Sequence, residues 1–367
     1  MRIVLTGPTG FLGWHTRLRL AALTDHDVIP IGRDEWDDLP AAVADADAVI
    51  HIAGANRGDD AHIEATNVGL ATDVGEAIAR CPRSLRVVHA NSIQSGYPGA
   101  YGRSKDAAAR LLRAATVGRG GHFVDVLLPN LFGEGGRPNY NSFVATFVAA
   151  LRDDATPVVG SGQVRLLHVQ EAAGWLLEGL ISPDTHLRPD AQAVTVREVY
   201  TLLRDQHDRY RLGEIPDLST ALSQDLFNTY RAAQFPERDR IPLRQSVDHR
   251  GYFMETVRVH GGQAQVSLST TVPGVTRGNH YHLRKVERFV VVGGQATISL
   301  RRMFTDDVHD VEVTGTQPCA VDIPTGWAHS LTNTGSQPLL TLFWSSDLFS
   351  TAAPDTYAHP VKEEAVV

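Results

Sequence analysis

The segment Arg2 to Thr6 runs without interruption into Gly7-Pro8-Thr9-Gly10-Phe11-Leu12-Gly13, and this junction constrains the chain more than any other feature. A short β-branched run, then glycines three residues apart, then an apolar segment of helical period, predicts a strand–turn–helix unit. The first glycine permits the tight turn, the second lets the backbone approach a bound group, and the third lets the helix pack closely on the strand. The helix start offers unpaired N–H donors and the positive end of its dipole. A dinucleotide pyrophosphate is the expected occupant, with Gly7, Thr9, Gly10, Phe11, Leu12 and Gly13 as its contacts.

The same texture continues downstream. The runs Val28 to Ile31, Ala48 to Ile52, Arg86 to Asn91 and Phe123 to Leu128 alternate with alanine- and leucine-rich helical segments such as Ala107 to Ala115. This alternation predicts βαβ units and a doubly wound parallel sheet of Rossmann type. After the second strand, where an acid commonly takes the ribose hydroxyls of NAD, the chain reads Ile31-Gly32-Arg33-Asp34. A guanidinium at Arg33 suits a 2′-phosphate, so NADPH is the expected cofactor. Ala53 and Gly54, where the third strand ends, and Asn67 beyond it complete the expected cofactor side.

Tyr101 and Lys105 stand four residues apart, on one face of a helix, and an ammonium beside a phenol lowers the phenol pKa. Such a tyrosine passes a proton to a carbonyl oxygen as hydride reaches the carbon, with Ser92 hydrogen-bonded to the same oxygen. Together with the glycine turn and Asp47 to Gly54, these residues resemble the extended short-chain dehydrogenase/reductases, which act largely on nucleotide-activated sugars. The resemblance implies that Leu128 to Gly133 and Pro138 to Ser142 face a nucleotide sugar. Ser92 stands only nine residues before Tyr101, closer than the family pattern, which implies a trimmed loop.

From about Leu243, Val, Thr and Gly become more frequent and helical period fades. Runs such as Arg288 to Val292, Ala296 to Leu300 and Leu339 to Trp344 are separated by turn signals, which predicts an all-β unit. The expected domains are 1–243 and 244–367. Gly274, His280, His282, Glu287 and Gly294 fit G(x)5HxH(x)4E(x)6G at every position, and Pro324 to Asn333 fits P-x-G-x-x-H-x-x-x-N around His329. These resemble the first cupin motif and the heart of the second, in which the glycine expected five residues before Pro324 is absent, and the resemblance implies a jelly-roll barrel. His280 and His282 share one face of a strand, and Glu287 returns on the next strand toward the same interior. With His329 they form a three-nitrogen, one-oxygen set suited to Zn2+ or another divalent transition metal.

Asp248 to Glu255 and Arg277 to His280 resemble the D-x-R-G-x-F-x-E and R-G-x-H signatures of deoxysugar 3,5-epimerases, metal-free cupins with a histidine base. Two roles therefore compete for His280, which is assigned here to the metal. A wider resemblance rests on N-S-I-Q at Asn91 to Gln94, R-P-N-Y-N-S at Arg137 to Ser142, and R-G-N-H-Y-H followed by Lys285 and Glu287. With these motifs nearly the whole chain resembles the CapF-like family of bifunctional capsular polysaccharide enzymes, a short-chain reductase fused to an RmlC-like zinc cupin. The resemblance implies C3 epimerisation of a UDP-2-acetamido-2,6-dideoxy-4-hexulose in the cupin. NADPH-dependent C4 reduction then follows, toward a UDP-N-acetyl-L-fucosamine type sugar. Lys285, Tyr281 and Glu255 are candidate proton carriers. Two alternatives stay open: a 4-keto-hexose reductase or epimerase of another deoxysugar or natural-product pathway with a structural cupin, and a cupin that senses a sugar or effector.

Bulk properties agree. A chain of 367 residues exceeds the roughly 250–300 at which one hydrophobic core stops growing, and 43% hydrophobic with 21% charged residues is a globular composition. A net charge of -8 without a basic run argues against nucleic acid or an anionic membrane surface as partner. Neither a signal peptide nor an apolar run of about 18 residues is present, and Cys81 and Cys319 make no disulfide framework, so a cytoplasmic enzyme is expected. By analogy with relatives it is expected to be a homodimer or homotetramer.

Overall fold

The computed structural model describes residues 1–249 and 251–362. Arg250, in the D-x-R-G signature, lies outside the described residues. The chain divides into two compact units, Met1–Thr146 with Gly160–Val196, and Phe147–Val159 with the residues from Arg197 onward.

In the first unit β1 (Arg2–Thr6), β2 (Asp27–Ile31), β3 (Ala48–His51), β4 (Arg86–Ser92), β5 (His122–Leu128) and β6 (His186–Leu187) form one sheet in the order β2-β1-β3-β4-β5-β6, all pairs parallel. All five strands expected from the sequence are there, within a residue at each end. Alternate side chains along each strand feed two cores. Val4, Val49, Val87 and Phe123 pack on one face beneath Asp60–Arg80 (α2) and Ala100–Gly118 (α3). Ile3, Leu5, Ile50, Val88 and Val124 pack on the other, with Leu20 of α1 (Phe11–Leu23) and Leu176 of Val169–Glu178. Each such side chain contributes about 1.5–3 kcal/mol when fully buried, so both faces must be covered. From β1 the chain passes to β2 on one side and to β3 on the other, which opens a crevice at the carboxyl ends of these strands, the usual ligand position in open α/β sheets.

The second unit contains two five-stranded antiparallel sheets. One orders Ile241–Pro242, Cys319–Ile323, Glu287–Gly293, Leu339–Ser345 and Gln265–Thr271; the other orders Val308–Thr314, Gln295–Arg302, Trp327–Asn333, Thr276–Tyr281 and Tyr357–Ala358. Phe289, Val321 and Leu339 from the first sheet meet Ile298, Val311 and Leu331 from the second in one core, the packing of a jelly roll. The helices Val196–Tyr210 and Ala221–Ala232 fall largely within this unit, although the sequence places them before the proposed join. The reason is polar as well as apolar. Leu222 to Arg231 are all buried, and this is possible because Asn228 donates to Arg284 O (2.8 Å) while Arg231 donates to Ile323 O. Arg288, fully buried, grips Asp322 through two bonds of 2.6 and 2.8 Å and donates to Gly213 O.

Candidate active sites

The glycine turn forms as its spacing requires. Gly7 has φ +69°, and a Cβ there would lie 3.0 Å from Ala53 N. A Cβ on Gly13 would lie 1.9 Å from Gly7 O, so no other residue fits between turn and helix. Gly10 begins α1 without a side-chain cap, which leaves the helix start available to an anion. Thr6 Oγ1 accepts from Ile52 N and Ala53 N (3.1 and 3.2 Å) and sets the strand end beside the turn. Asn67 is buried and acts as a clip. It accepts from Ala55 N (2.7 Å) and donates to Ala55 O and Ser104 Oγ, so it shapes the 53–55 turn while its own polar atoms are engaged. Thr9 and Arg33 are exposed. Glu35, missed in the sequence, accepts from Gly32 N (3.0 Å) and puts a carboxylate in the same turn as Arg33.

Ser92 ends β4 and Tyr101 opens α3, which brings the Ser92 hydroxyl close to the Tyr101 phenol. Burial pushes the Tyr101 phenol up, and the Ser92 hydroxyl pulls it back. Lys105 departs from expectation in its immediate partner. Its Nζ donates to Ala90 O at 2.6 Å, and the neighbouring charge it meets is that of Asp125. Burial brings Lys105 down to about 8, against the pull of Asp125. Behind it His51 and His89 stack 5.5 Å apart, and burial followed by the charge of Lys105 holds His51 at about 3. The loops around this crevice are tied together. Arg57 donates to Tyr140 O (2.6 Å), Asn141 donates to Asn56 O (3.0 Å), and the guanidinium groups of Arg57 and Arg137 each lie over the Tyr140 ring, 5.4 and 5.3 Å from its centroid. Arg57 carried no sequence signal, because its partners lie more than eighty residues away.

In the second unit the bulge between Gly278 and His280 sets the candidate metal ligands. Gly278 has φ +102° and runs so close to Trp327–Asn333 that a Cβ would lie 2.8 Å from His329 O. His280 thereby pairs with His329 across the strands. One ligand atom from each of His280, His282, Glu287 and His329 falls within 4.8 Å of all the others. Tetrahedral bonds of about 2.1 Å need ligands about 3.4 Å apart, and Glu287 Oε2 is 3.1 Å from His282 Nε2 and 3.2 Å from His329 Nε2. The donor set therefore fits a divalent metal. Burial alone would raise Glu287, but the adjoining imidazoles of His282 and His329 hold it well below the usual carboxylate range. Burial, then the neighbouring imidazoles, lowers His280 to about 4, so it is neutral and able to ligate. A cavity of about 200 Å³ opens on this set, lined among others by Lys285, Asp347, Phe343 and Thr356. Of the three proton-carrier candidates Lys285 alone lines it. Tyr281 is buried against Tyr357, and Glu255 is exposed and paired with Arg258.

Residues 3–184 match the NAD dependent epimerase/dehydratase family, and residues 246–357 match the polysaccharide biosynthesis C-terminal domain. Over its full length, and the full length of the relative, the chain is 29% identical to UDP-2-acetamido-2,6-beta-L-arabino-hexul-4-ose reductase of Pseudomonas aeruginosa. It is 30% identical to the spore coat polysaccharide biosynthesis protein SpsL of Bacillus subtilis, over 34% of this chain and 88% of that one. Among solved structures, the capsular polysaccharide assembling protein CapF of Staphylococcus aureus aligns with a TM-score of 0.62 and 30% identity, over 98% of this chain and 100% of that one. Fold and sites together define an enzyme of the nucleotide-sugar reductase/epimerase type with a nicotinamide cofactor. The chain belongs to the CapF family.

Proposed function

We propose that the chain is bifunctional, dividing near residues 243 and 244 into an NADPH-dependent C4 ketoreductase and a Zn2+-dependent C3 epimerase acting on a UDP-2-acetamido-2,6-dideoxy-4-hexulose. The observation that carries this reading is Tyr101 close to Ser92, with buried Lys105 one turn along the same helix, in one chain with a cavity on His280, Lys285 and Glu287. The relative from Pseudomonas aeruginosa supports the substrate and the UDP group. Arg33, the glycine turn, Ala53 and Gly54 would hold the cofactor, with Asn67 shaping the loop.

A C4 ketone acidifies the hydrogen on C3, so a base that removes this proton and a charge that steadies the enolate oxygen are enough for epimerisation. Lys285 lines the cavity and is the candidate that returns a proton to the opposite face of C3. A bound divalent cation supplies Lewis acidity toward a carbonyl oxygen, and His280, His282, Glu287 and His329 would hold it. In the reductase site a bound nicotinamide cofactor would supply the hydride that C4 receives. Tyr101 gives its phenolic proton to O4, Ser92 hydrogen-bonds the same oxygen, and the Lys105 ammonium favours the resulting phenolate. Reduction removes the ketone and fixes the configuration at C3, so epimerisation comes first.

Deuterium incorporation at C3 in D2O and NADPH oxidation separate the two activities. In Tyr101→Phe, NADPH oxidation should fall by at least about 100-fold while exchange persists. In His282→Ala, exchange should be lost. Loss of neither activity in its variant would refute the bifunctional reading. Exchange that survives in metal-free protein would remove the metal from the chemistry.

A further inference from the structure

Residues 283–286 connect His282 to Glu287, and Lys285 lies among them. A loop that carries a ligand at each end and a proton carrier between them needs its backbone fixed, and its main-chain hydrogen bonds show what fixes it. Asp355 Oδ1 accepts from Leu283 N (2.9 Å), and Oδ2 accepts from Arg284 N (3.0 Å) and Lys285 N (2.7 Å). Its backbone oxygen accepts from His282 Nδ1 at 2.5 Å. A carbonyl has no hydrogen to give, so Nδ1 carries a proton in this contact, and Nε2 is the ring atom turned toward Glu287. The adjacent Pro354 O accepts from Lys285 Nζ at 2.8 Å, and Thr356 Oγ1 lies 3.2 Å from the same atom. Asp355 adopts φ +41°, a left-handed conformation that costs a non-glycine residue energy and persists only where surrounding contacts impose it.

We propose that Asp355 is a positioning residue of the cupin site: its carboxylate holds the 283–285 backbone and its carbonyl fixes the His282 ring, so that the 354–356 segment sets both the metal affinity of the site and the placement of Lys285. This rests on reading His280, His282, Glu287 and His329 as a metal site. Partners that orient a ligating imidazole typically change metal affinity 10- to 100-fold when lost. A single aspartate also joins the two functional elements of the site, a ligand and the candidate proton carrier, through one rigid segment.

The test uses the full chain, Zn2+ as probe, competition with a chromophoric chelator for the dissociation constant, and amide hydrogen exchange of the metal-free protein. Asp355→Ala should weaken Zn2+ binding by about 10- to 100-fold and speed exchange at 283–285, with NADPH binding to the other unit unchanged. Asp355→Asn should fall between, because its amide oxygen accepts two of the N–H groups while its NH2 confronts the third, and it replaces the alanine variant should that not fold. A purely structural role would lower the thermal midpoint and leave the Zn2+ constant of the folded protein unmoved, which would overturn the proposal. If the wild-type chain binds no Zn2+, the metal reading fails by itself. Exchange at 283–285 then decides, and unchanged protection in the alanine variant would overturn the positioning role.

Discussion

Replacing Lys105 with methionine isolates the energetic cost of the reductase site. The lysine side chain is 7% exposed, and burial brings its pKa from 10.5 to about 8. At about 1.36 kcal/mol per unit, the charged form is disfavoured in the folded state by about 3 kcal/mol. The direction follows from proton binding. Between pH 8 and 10.5 the unfolded chain holds a proton that the folded chain has released, so wild-type stability rises with pH across that window. The contribution is complete above the unfolded pKa and lost as pH falls through the folded one. A methionine side chain fills a similar volume and has nothing to titrate. It leaves Ala90 O without its donor, at a cost of about 1–3 kcal/mol, but that cost does not change with pH. Hence the stability difference between wild type and Lys105→Met should move by about 2 to 3 kcal/mol in favour of the wild type from pH 7 to pH 10. Cofactor-free protein would be taken through a urea series at both pH values, with amide exchange of β4 and β5 peptides reporting the first unit separately. A difference constant within about 0.5 kcal/mol would show that Lys105 titrates normally, and the argument from burial would fail.

Two further perturbations address the cofactor crevice. Gly13→Ala brings a methyl group to 1.9 Å from Gly7 O, so α1 must move away from the turn; NADPH binding, followed by fluorescence titration, should be lost, and retained affinity would mean that the turn is not the pyrophosphate site. Arg33→Ser should weaken NADPH by about 1.5–3 kcal/mol, the worth of a charge-assisted hydrogen bond, and leave NADH nearly unchanged. Equal losses for both cofactors would remove Arg33 from 2′-phosphate recognition, and in that event Glu35, hydrogen-bonded to Gly32 N in the same turn, becomes the residue to test.

The sequence by itself determined the features that depend on local geometry. The glycine turn is legible because Gly7 needs a positive φ and Gly13 leaves no room for a side chain. The strands are legible because burial on both faces demands near-continuous apolar runs. The candidate metal ligands are legible because alternation along one strand and return on the next fix their phase. Tertiary structure decided the rest. Asn67 and Lys105 were expected to serve the cofactor and the phenol, yet their polar atoms engage Ala55 and Ala90, backbone groups whose positions depend on sheet and helix packing. The helix Ala221–Ala232 packs in the β-rich unit because its buried polar side chains find carbonyls at Arg284 and Ile323, and helical period alone cannot say which carbonyls those will be. Asp355 meets His282 across 73 residues. A contact of that span leaves no trace in spacing, since only the folded chain brings its two ends together.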